Sequence, residues 1–231
     1  MTTRALQAII FDFDGVIADS ERLHLRAYQD VLEGEGMPLT DEAYYARYLG
    51  YDDVGVLQTL ARDHGVALAE PRLQALLLRK GERYDALAAQ GEMLFPGAAD
   101  FIRLAAAAVP VAIASGALTH EIEDVLDRAG LRPLFPVIVG ADQTERSKPH
   151  PDPYLEAFAR LQSACGRALD PRRSVAIEDS KWGLISAREA GLRTVGVTNT
   201  YAAGEIEEAA EIIAAGLHAL DLETLDRLCE A

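Results

Sequence analysis

Near its start the chain reads Ile9-Ile10-Phe11-Asp12-Phe13-Asp14-Gly15-Val16-Ile17-Ala18-Asp19-Ser20. The apolar run before the aspartates is typical of a strand that is buried on both faces of a parallel sheet. Asp14-Gly15 is a turn signal, so we expect the strand to end there. Two carboxylates beside a buried strand are costly unless something compensates them, and a bound cation would do so. A turn aspartate followed by a loop aspartate is the alternative interpretation.

The apolar periodicity changes along the chain. From about residue 17 to residue 91 it is almost entirely helical, and from about residue 92 short strands alternate with helices. The later strands are predicted at 109–114, 137–139, 174–177, 194–197 and 212–213. This alternation predicts a parallel sheet covered by helices on both faces. The predicted fold class is a Rossmann-like, doubly wound α/β core, residues 1–16 and 92–231, with an inserted all-helical cap domain, residues 17–91.

The overall composition limits the classes of partner. With 231 residues the chain can form one large domain or a domain with a smaller insert. The formal net charge of −15 argues against a nucleic-acid partner. No apolar run has the length of a membrane span, and the N-terminus lacks a signal-peptide pattern. The two cysteines, Cys165 and Cys229, have no metal or redox spacing. Because no export signal is found, we expect a reduced, cytoplasmic location. The sequence implies no obligate protein partner.

Four polar features come directly after predicted strands: Asp12 with Asp14, Ser115-Gly116, Lys148, and Glu178-Asp179. Each has an ordinary interpretation by itself, as a turn, a solvated loop lysine or a helix cap. Because right-handed crossovers place all strand-to-helix loops of a parallel sheet at one edge, the four are expected to meet there. Together they supply carboxylates for a hard cation, a hydroxyl group and a positive charge.

In order and spacing, these four features resemble the four motifs of the haloacid dehalogenase superfamily of phosphotransferases. The resemblance covers almost the whole chain, and the helical insert after the first motif resembles the first cap type of that superfamily. The run from Asp12 to Ser20, His24, and the stretch 79–84 resemble more narrowly the β-phosphoglucomutase-like subgroup. That subgroup also contains many small sugar-phosphate phosphatases.

The resemblance implies a role for each catalytic residue. Asp12 would be the nucleophile that attacks phosphorus and forms an aspartyl phosphate. Asp14 would protonate the leaving oxygen and then activate the hydrolytic water. Ser115 and backbone N–H groups near it, Gly116 among them, would bind phosphoryl oxygens. Lys148 would offset the negative charge gathered by the nucleophile and the phosphate.

The resemblance also implies Mg²⁺ as cofactor. Its ligands would be the Asp12 carboxylate, the Asp14 backbone carbonyl and Asp179, and Glu178 would orient ligand waters. On the cap side, His24 would help to position the Asp14 side chain, and Lys80 would touch the distal part of the substrate. For both cap residues the alternatives are a helix-face histidine and a solvated lysine.

Other chemistries of the superfamily fit the sequence less well. A dehalogenase does not need the second aspartate, Asp14. A phosphonate hydrolase would need a cap lysine near the site, and the setting of Lys80, the only cap lysine, resembles the sugar-phosphate subgroup instead. A P-type pump would need membrane spans. A non-catalytic binding module is disfavoured because Asp12, Asp14, Lys148 and Asp179 are all present.

We therefore expect a magnesium-dependent phosphatase that acts on a small phosphorylated metabolite, such as a sugar phosphate. The alternative is intramolecular transfer by a mutase of the β-phosphoglucomutase type. A mutase needs donors for a second phosphate, whereas this chain has Gly116-Ala117-Leu118 after Ser115 and the acidic pair Asp52-Asp53 after Gly50. Arg47, Arg79 and Arg83 are the basic residues that could substitute.

Overall fold

The computed structural model describes residues 4–49, 51–89 and 93–230. Within these ranges the chain forms two compact units, one that extends to Asp19 and resumes at Leu94, and one that spans Ser20–Met93. The predicted fold class is confirmed, since the first unit contains a six-stranded parallel sheet and the second is helical. Of the predicted domain boundaries, the one after residue 91 lies outside the described residues, and the one after residue 16 stays a prediction.

The sheet has the strand order β3-β2-β1-β4-β5-β6, and every pairing is parallel. Its strands are β1 (Ala8–Phe11), β2 (Val111–Ala114), β3 (Val137–Val139), β4 (Ser174–Glu178), β5 (Arg193–Val197) and β6 (Ile212–Ala214). All four residues of β1 are buried, which is why this strand lacks the alternation of polar and apolar residues. The central position of β1 puts the two aspartates that follow it at the middle of the sheet.

Helices cover both faces of this sheet. The α-helices of the unit are α5 (Ala98–Ala108), α6 (Thr119–Arg128), α7 (Asp152–Cys165), α8 (Lys181–Glu189), α9 (Ala203–Ile206) and α10 (Leu222–Glu230). Ile10 packs in one cluster with Tyr154 and Leu161 of α7. The next residue, Phe11, points to the other face and meets the rings of Phe101 and Phe135 at centroid distances of 6.2 and 6.0 Å. Successive residues of a strand point to opposite faces, so one short strand anchors both layers.

The helical unit has its own apolar core. It contains α1 (Glu21–Leu32), the short α2 (Asp41–Ala43) with a π-helical continuation (Tyr44–Tyr48), α3 (Asp53–Asp63) and α4 (Glu70–Ala88). The Thr40 and Asp52 side chains cap α2 and α3 by accepting from the N–H groups of Ala43 and Gly55. The buried residues of this apolar core all come from the helical unit and include Leu25, Tyr28, Val31, Leu57, Leu60, Leu73 and Leu76. None of the described helices is both long and apolar enough to cross a membrane.

Several strand ends differ from the predictions. β1 ends at Phe11, before the expected Asp14-Gly15, β5 begins at Arg193 rather than at residue 194, and β6 ends at Ala214 rather than at residue 213. The second strand begins at Val111 rather than at residue 109, because Val109 still caps α5 and Pro110 has no N–H for the ladder. The fourth strand includes Glu178, so this carboxylate belongs to the strand end and not to the loop.

Candidate active site

The register of the central strands brings the predicted acidic residues to one edge of the sheet. Phe11 pairs with Ile177 in the parallel ladder, so the next residues along each strand, Asp12 and Glu178, lie side by side. The Asp12 N–H donates to the Ile177 carbonyl at 2.9 Å, which extends the ladder by one residue. In a parallel sheet the carboxyl ends of all strands share this edge, where ligands of open α/β folds bind.

Three buried carboxylates form a cluster with a lysine at this edge. Oxygen atoms of Asp12, Glu178 and Asp179 all lie within 4.8 Å of one another. The Lys148 Nζ lies 2.6 Å from Glu178 Oε1 and 2.8 Å from Asp12 Oδ1. The contact with Asp12 is an ion pair, and apart from this lysine the buried Asp12 Oδ1 has no polar partner among the described residues. Four predicted site residues are thus brought together.

The charges of this cluster do not balance. Burial and the neighbouring Glu178 raise the pKa of Asp12 to about 7. Burial, Glu178 and Asp12 raise the pKa of Asp179 well above its usual value. Burial acts in the same direction on Glu178, but the charge of Lys148 outweighs it and lowers that pKa. Lys148 therefore neutralises the Glu178 carboxylate. It does not supply enough positive charge to neutralise Asp12 and Asp179 as well.

A divalent cation fits this imbalance. The cluster offers carboxylate oxygens, the ligands that Mg²⁺ prefers, and one of them, Asp12 Oδ1, has no partner besides Lys148 among the described residues. Asp12 and Asp179 are the carboxylates that would hold the ion, since Glu178 is saturated by other partners. Among the described residues the Asp14 carboxylate is not part of the cluster, and its backbone carbonyl as a ligand stays a prediction.

Glu178 is held by a dense set of donors. Its two oxygens accept from Lys148 Nζ at 2.6 Å, Tyr154 Oη at 3.2 Å, the Asp179 N–H at 3.0 Å, and the Ser180 N–H and Oγ at 3.1 and 3.0 Å. A Cβ atom on Gly183 would overlap the Glu178 carboxyl group, so only glycine fits there. This arrangement fixes Glu178 and, through it, the position of Lys148.

Ser115 follows β2 at the same edge of the sheet. Its N–H donates to the Val139 carbonyl at 2.9 Å, and its buried hydroxyl accepts from the Ala117 N–H at 3.1 Å. Gly116 is exposed, and a Cβ atom there would meet nothing within 4 Å. The space beside the Gly116 backbone is therefore open.

The turn after Asp12 is tied to the loop that follows β5. Gly15 has φ +73° and donates its N–H to the Ala18 carbonyl at 2.9 Å. The Gly15 carbonyl accepts from Asn199 Nδ2 at 2.7 Å, and Thr200 Oγ1 and Asp179 Oδ2 both lie against Gly15. Asn199 and Thr200 were not among the predicted site residues.

His24 and Lys80, the predicted cap residues, contact each other within the helical unit. The Lys80 Nζ lies 2.7 Å from His24 Nδ1 and 2.8 and 2.9 Å from the two carboxylate oxygens of Asp53. It also lies 5.1 and 5.3 Å from the ring centroids of Tyr28 and Tyr84. Lys80 is 1% exposed, so the alternative of a solvated lysine is wrong.

The protonation of His24 follows from this contact. Burial and the charge of Lys80 lower the pKa of His24 to about 3, so its ring is neutral near pH 7. We assign the imidazole proton to Nε2, because Nδ1 accepts from the ammonium group. Lys80 thus fixes His24 as a hydrogen-bond donor through Nε2.

Some functional neighbours were missed in the sequence. Tyr154 opens α7 and falls on its apolar face, so periodicity predicts burial but not the hydroxyl contact with Glu178. Asp53 reads as a possible helix cap, and only the folded unit pairs it with Lys80. Asn199 and Thr200 follow the predicted fifth strand, and their position at the carboxyl edge was the one available signal.

A doubly wound parallel sheet, an inserted helical unit, and buried carboxylates with a lysine at the carboxyl edge together define a hydrolase of the haloacid dehalogenase type. The model of the family "Haloacid dehalogenase-like hydrolase" matches residues 9–197. The chain belongs to this family.

Individual relatives agree with this assignment. Hexitol phosphatase B of Escherichia coli K12 is 32% identical over 196 residues, which is 84% of each chain. The crystal structure of CbbY from Rhodobacter sphaeroides, in complex with phosphate, matches with a TM-score of 0.83 and 30% identity over 96% of this chain and 99% of that one. A structure of a putative β-phosphoglucomutase from Thermotoga maritima matches with a TM-score of 0.74 and 28% identity over 98% and 100%. The predicted superfamily, its β-phosphoglucomutase-like subgroup and the enzyme class, a phosphoric monoester hydrolase, are confirmed.

Proposed function

We propose that the protein is a Mg²⁺-dependent phosphatase that hydrolyses a small phosphomonoester, in particular a sugar or sugar-alcohol phosphate, through an aspartyl-phosphate intermediate. The observation that carries this proposal is the cluster of Asp12, Glu178 and Asp179 within 4.8 Å, paired with Lys148 at the carboxyl edge of the sheet. The similarity to a hexitol phosphatase supports the substrate class.

The need for positive charge explains the composition of the site. A carboxylate that attacks a phosphate dianion meets like charges, and at ~4 Å and an effective dielectric constant of ~20 each pair of unit charges costs ~4 kcal/mol. Lys148 supplies one compensating charge next to the Asp12 carboxylate. Mg²⁺, held by Asp12, Asp179 and the Asp14 carbonyl, would supply two more and offset the charge on the phosphoryl oxygens.

The proposed reaction has two steps. In the first, an oxygen of Asp12 attacks phosphorus, the bond to the substrate oxygen breaks, and Asp14 gives its proton to that leaving oxygen. In the second, Asp14 takes a proton from a water molecule whose oxygen attacks the phosphorus, which releases inorganic phosphate and restores Asp12. Ser115 and the Gly116 N–H hold phosphoryl oxygens, and Lys148 holds Asp12 ionised during attack.

The cap residues are proposed to act in substrate choice. His24 offers its Nε2 proton as a hydrogen-bond donor, and Lys80 maintains that tautomer. All three protons of the Lys80 ammonium have acceptors in Asp53 and His24. We therefore propose that Lys80 influences the distal part of the substrate mainly through His24, and not as an unpaired phosphate-binding cation.

Charge pairing within the helical unit favours hydrolysis over mutase chemistry. Arg47 pairs with Asp63 at 2.8 Å, Arg79 with Glu35 at 2.9 Å, and Arg83 with Asp30 at 2.7 Å. Asp53 likewise neutralises the cap lysine. A bisphosphate intermediate needs charged donors at both ends, and each missing contact forgoes ~1.5–3 kcal/mol.

A turnover screen tests the proposal. The purified enzyme is incubated with sugar monophosphates, hexitol phosphates and phosphoglycolate, with Mg²⁺ or with EDTA, and phosphate release is measured against the Asp12→Asn variant. We expect Mg²⁺-dependent release from at least one sugar or hexitol phosphate. If phosphate release from every substrate of the panel were no faster than with the Asp12→Asn variant, the proposed phosphatase function would be refuted.

A second assay separates hydrolysis from the mutase alternative. The enzyme is given β-glucose 1-phosphate, Mg²⁺ and a trace of the 1,6-bisphosphate, and both products are followed by phosphorus NMR. We expect inorganic phosphate to exceed glucose 6-phosphate. Much faster formation of glucose 6-phosphate would assign a mutase and leave the proposed nucleophile and metal site in place.

A further inference from the structure

We propose that Asn199 and Thr200, in the loop after β5, are positioning residues that set the geometry of the Mg²⁺ site through Asp179 and the turn at Gly15. This inference rests on the proposed function, because it concerns the metal site assigned there. Neither residue belongs to the four motifs that the sequence identified.

Thr200 acts on Asp179. Its hydroxyl lies against Gly15 next to Asp179 Oδ2 and opposes the rise that burial gives the pKa of the Asp179 carboxylate, a member of the three-carboxylate cluster. A carboxylate that ligates a metal through one part of its surface is oriented by a donor on another part. A Cβ atom on Gly15 would overlap Asp179 Oδ2 and lie 2.6 Å from Thr200 Oγ1, so both groups pack against the same glycine.

Asn199 acts on the turn itself. Its Nδ2 donates to the Gly15 carbonyl at 2.7 Å, across 184 positions of sequence. The Gly15 N–H is used inside the turn, toward Ala18, so the turn is fixed from both sides. Asp14, whose carbonyl is a proposed ligand, directly precedes Gly15. Asn199 therefore anchors a backbone ligand in the way that Thr200 orients a carboxylate ligand.

The sheet explains why this loop has that role. Gly196 of β5 pairs with Glu178 of β4, so the residues after β5 emerge beside Asp179. Thr198 offers a contrast, because its hydroxyl donates to the Ala214 carbonyl of β6 at 3.5 Å, away from the predicted site residues. It is a matched control for loss of one hydroxyl from the same loop.

Mg²⁺ binding to the metal-stripped protein of 231 residues tests the inference by isothermal titration calorimetry. The variants are Thr200→Val, Thr200→Ser, Asn199→Ala and, as control, Thr198→Val. We expect Thr200→Val and Asn199→Ala to weaken Mg²⁺ binding by ~10–100-fold, the usual effect of losing an outer partner of a metal ligand. Thr200→Ser should restore the affinity to within a few-fold of wild type, and Thr198→Val should leave it unchanged. Thermal melting without metal checks that each variant is folded.

Four outcomes would overturn the inference. Wild-type Mg²⁺ affinity in both Thr200→Val and Asn199→Ala would show that these contacts do not set the site. An equal loss in Thr198→Val would assign the effect to general loop stability. A Thr200→Ser variant as weak as Thr200→Val would exclude the hydroxyl as the cause. If the wild-type protein binds no Mg²⁺, the metal site of the proposed function is refuted as well. The wild-type titration therefore separates failure of the metal site from failure of the positioning role alone.

Discussion

Substituting Gly15 by alanine should damage the metal site far more than it damages the fold. Gly15 has φ +73°, in the left-handed region that favours glycine. An added Cβ atom would overlap Asp179 Oδ2 and lie 2.6 Å from Thr200 Oγ1. The new methyl group therefore forces the Asp179 carboxylate away from its present position.

Two costs follow from this geometry. The left-handed backbone costs alanine ~1–2 kcal/mol, and the smaller entropy of the unfolded chain offsets ~0.4–1 kcal/mol of it. The second cost is the displacement of a proposed ligand. We expect this displacement to weaken Mg²⁺ binding at least as much as loss of a ligand's outer partner does, by ~10–100-fold.

Gly130 provides a matched control. It has φ +64°, and a Cβ atom there would meet nothing within 4 Å. Gly130→Ala should therefore carry the backbone cost alone. We expect a stability loss of at most ~1.5 kcal/mol in Gly130→Ala, with wild-type Mg²⁺ affinity.

The assay combines urea denaturation of the metal-free proteins with calorimetric Mg²⁺ titration and turnover at saturating Mg²⁺. The expected pattern is a large loss of Mg²⁺ affinity in Gly15→Ala and none in Gly130→Ala. If Gly15→Ala bound Mg²⁺ and turned over substrate like Gly130→Ala, the close packing of Gly15 on Asp179 would have no functional meaning.

Four further predictions concern the site and the cap. Asp12→Asn should keep the fold and lose essentially all phosphate release, measured with an aryl phosphate, because the amide is not a nucleophile. Asp179→Ala should weaken Mg²⁺ binding in calorimetry, since it removes a proposed ligand. Lys80→Ala should raise KM for the best sugar phosphate and spare a small aryl phosphate, because its contacts are with His24 and Asp53. Since the pKa of His24 is about 3 in the folded protein and ~6.5 when unfolded, the neutral ring stabilises the fold above pH 6.5, and this contribution is lost as the pH falls toward 3. The urea midpoint should therefore fall less steeply between pH 7.5 and 5 in His24→Asn than in wild type.

Each of these has an outcome that contradicts it. Near-wild-type hydrolysis by pure Asp12→Asn protein would refute the nucleophile, and unchanged calorimetric affinity would remove Asp179 from the ligands. Equal losses on both substrates would place Lys80 in the chemical step. Parallel pH profiles of wild type and His24→Asn would show that the ring does not titrate as inferred.

The local sequence was sufficient for the main elements. β1 was recognisable because a strand buried on both faces is apolar throughout, although it ends at Phe11, before the Asp14-Gly15 turn signal. The helical stripe of α4 placed Lys80 in line with the buried Leu73, Leu76 and Tyr84, so its burial was within reach of periodicity. The motif residues could be grouped in advance because parallel strands share one carboxyl edge.

Only the folded chain decides which side chains complete each other. The strand order puts β1 between β2 and β4. Asp12 therefore lies beside Glu178, although the two residues are 166 positions apart in the sequence. Asp53 meets Lys80 across 27 positions, and Asn199 meets Gly15 across 184. Propensity and periodicity act over a few residues, whereas these contacts depend on strand order, register and loop path. The sequence thus determined the strand, the helices and the four motifs by short-range physics, and tertiary packing alone determined which groups orient and neutralise them.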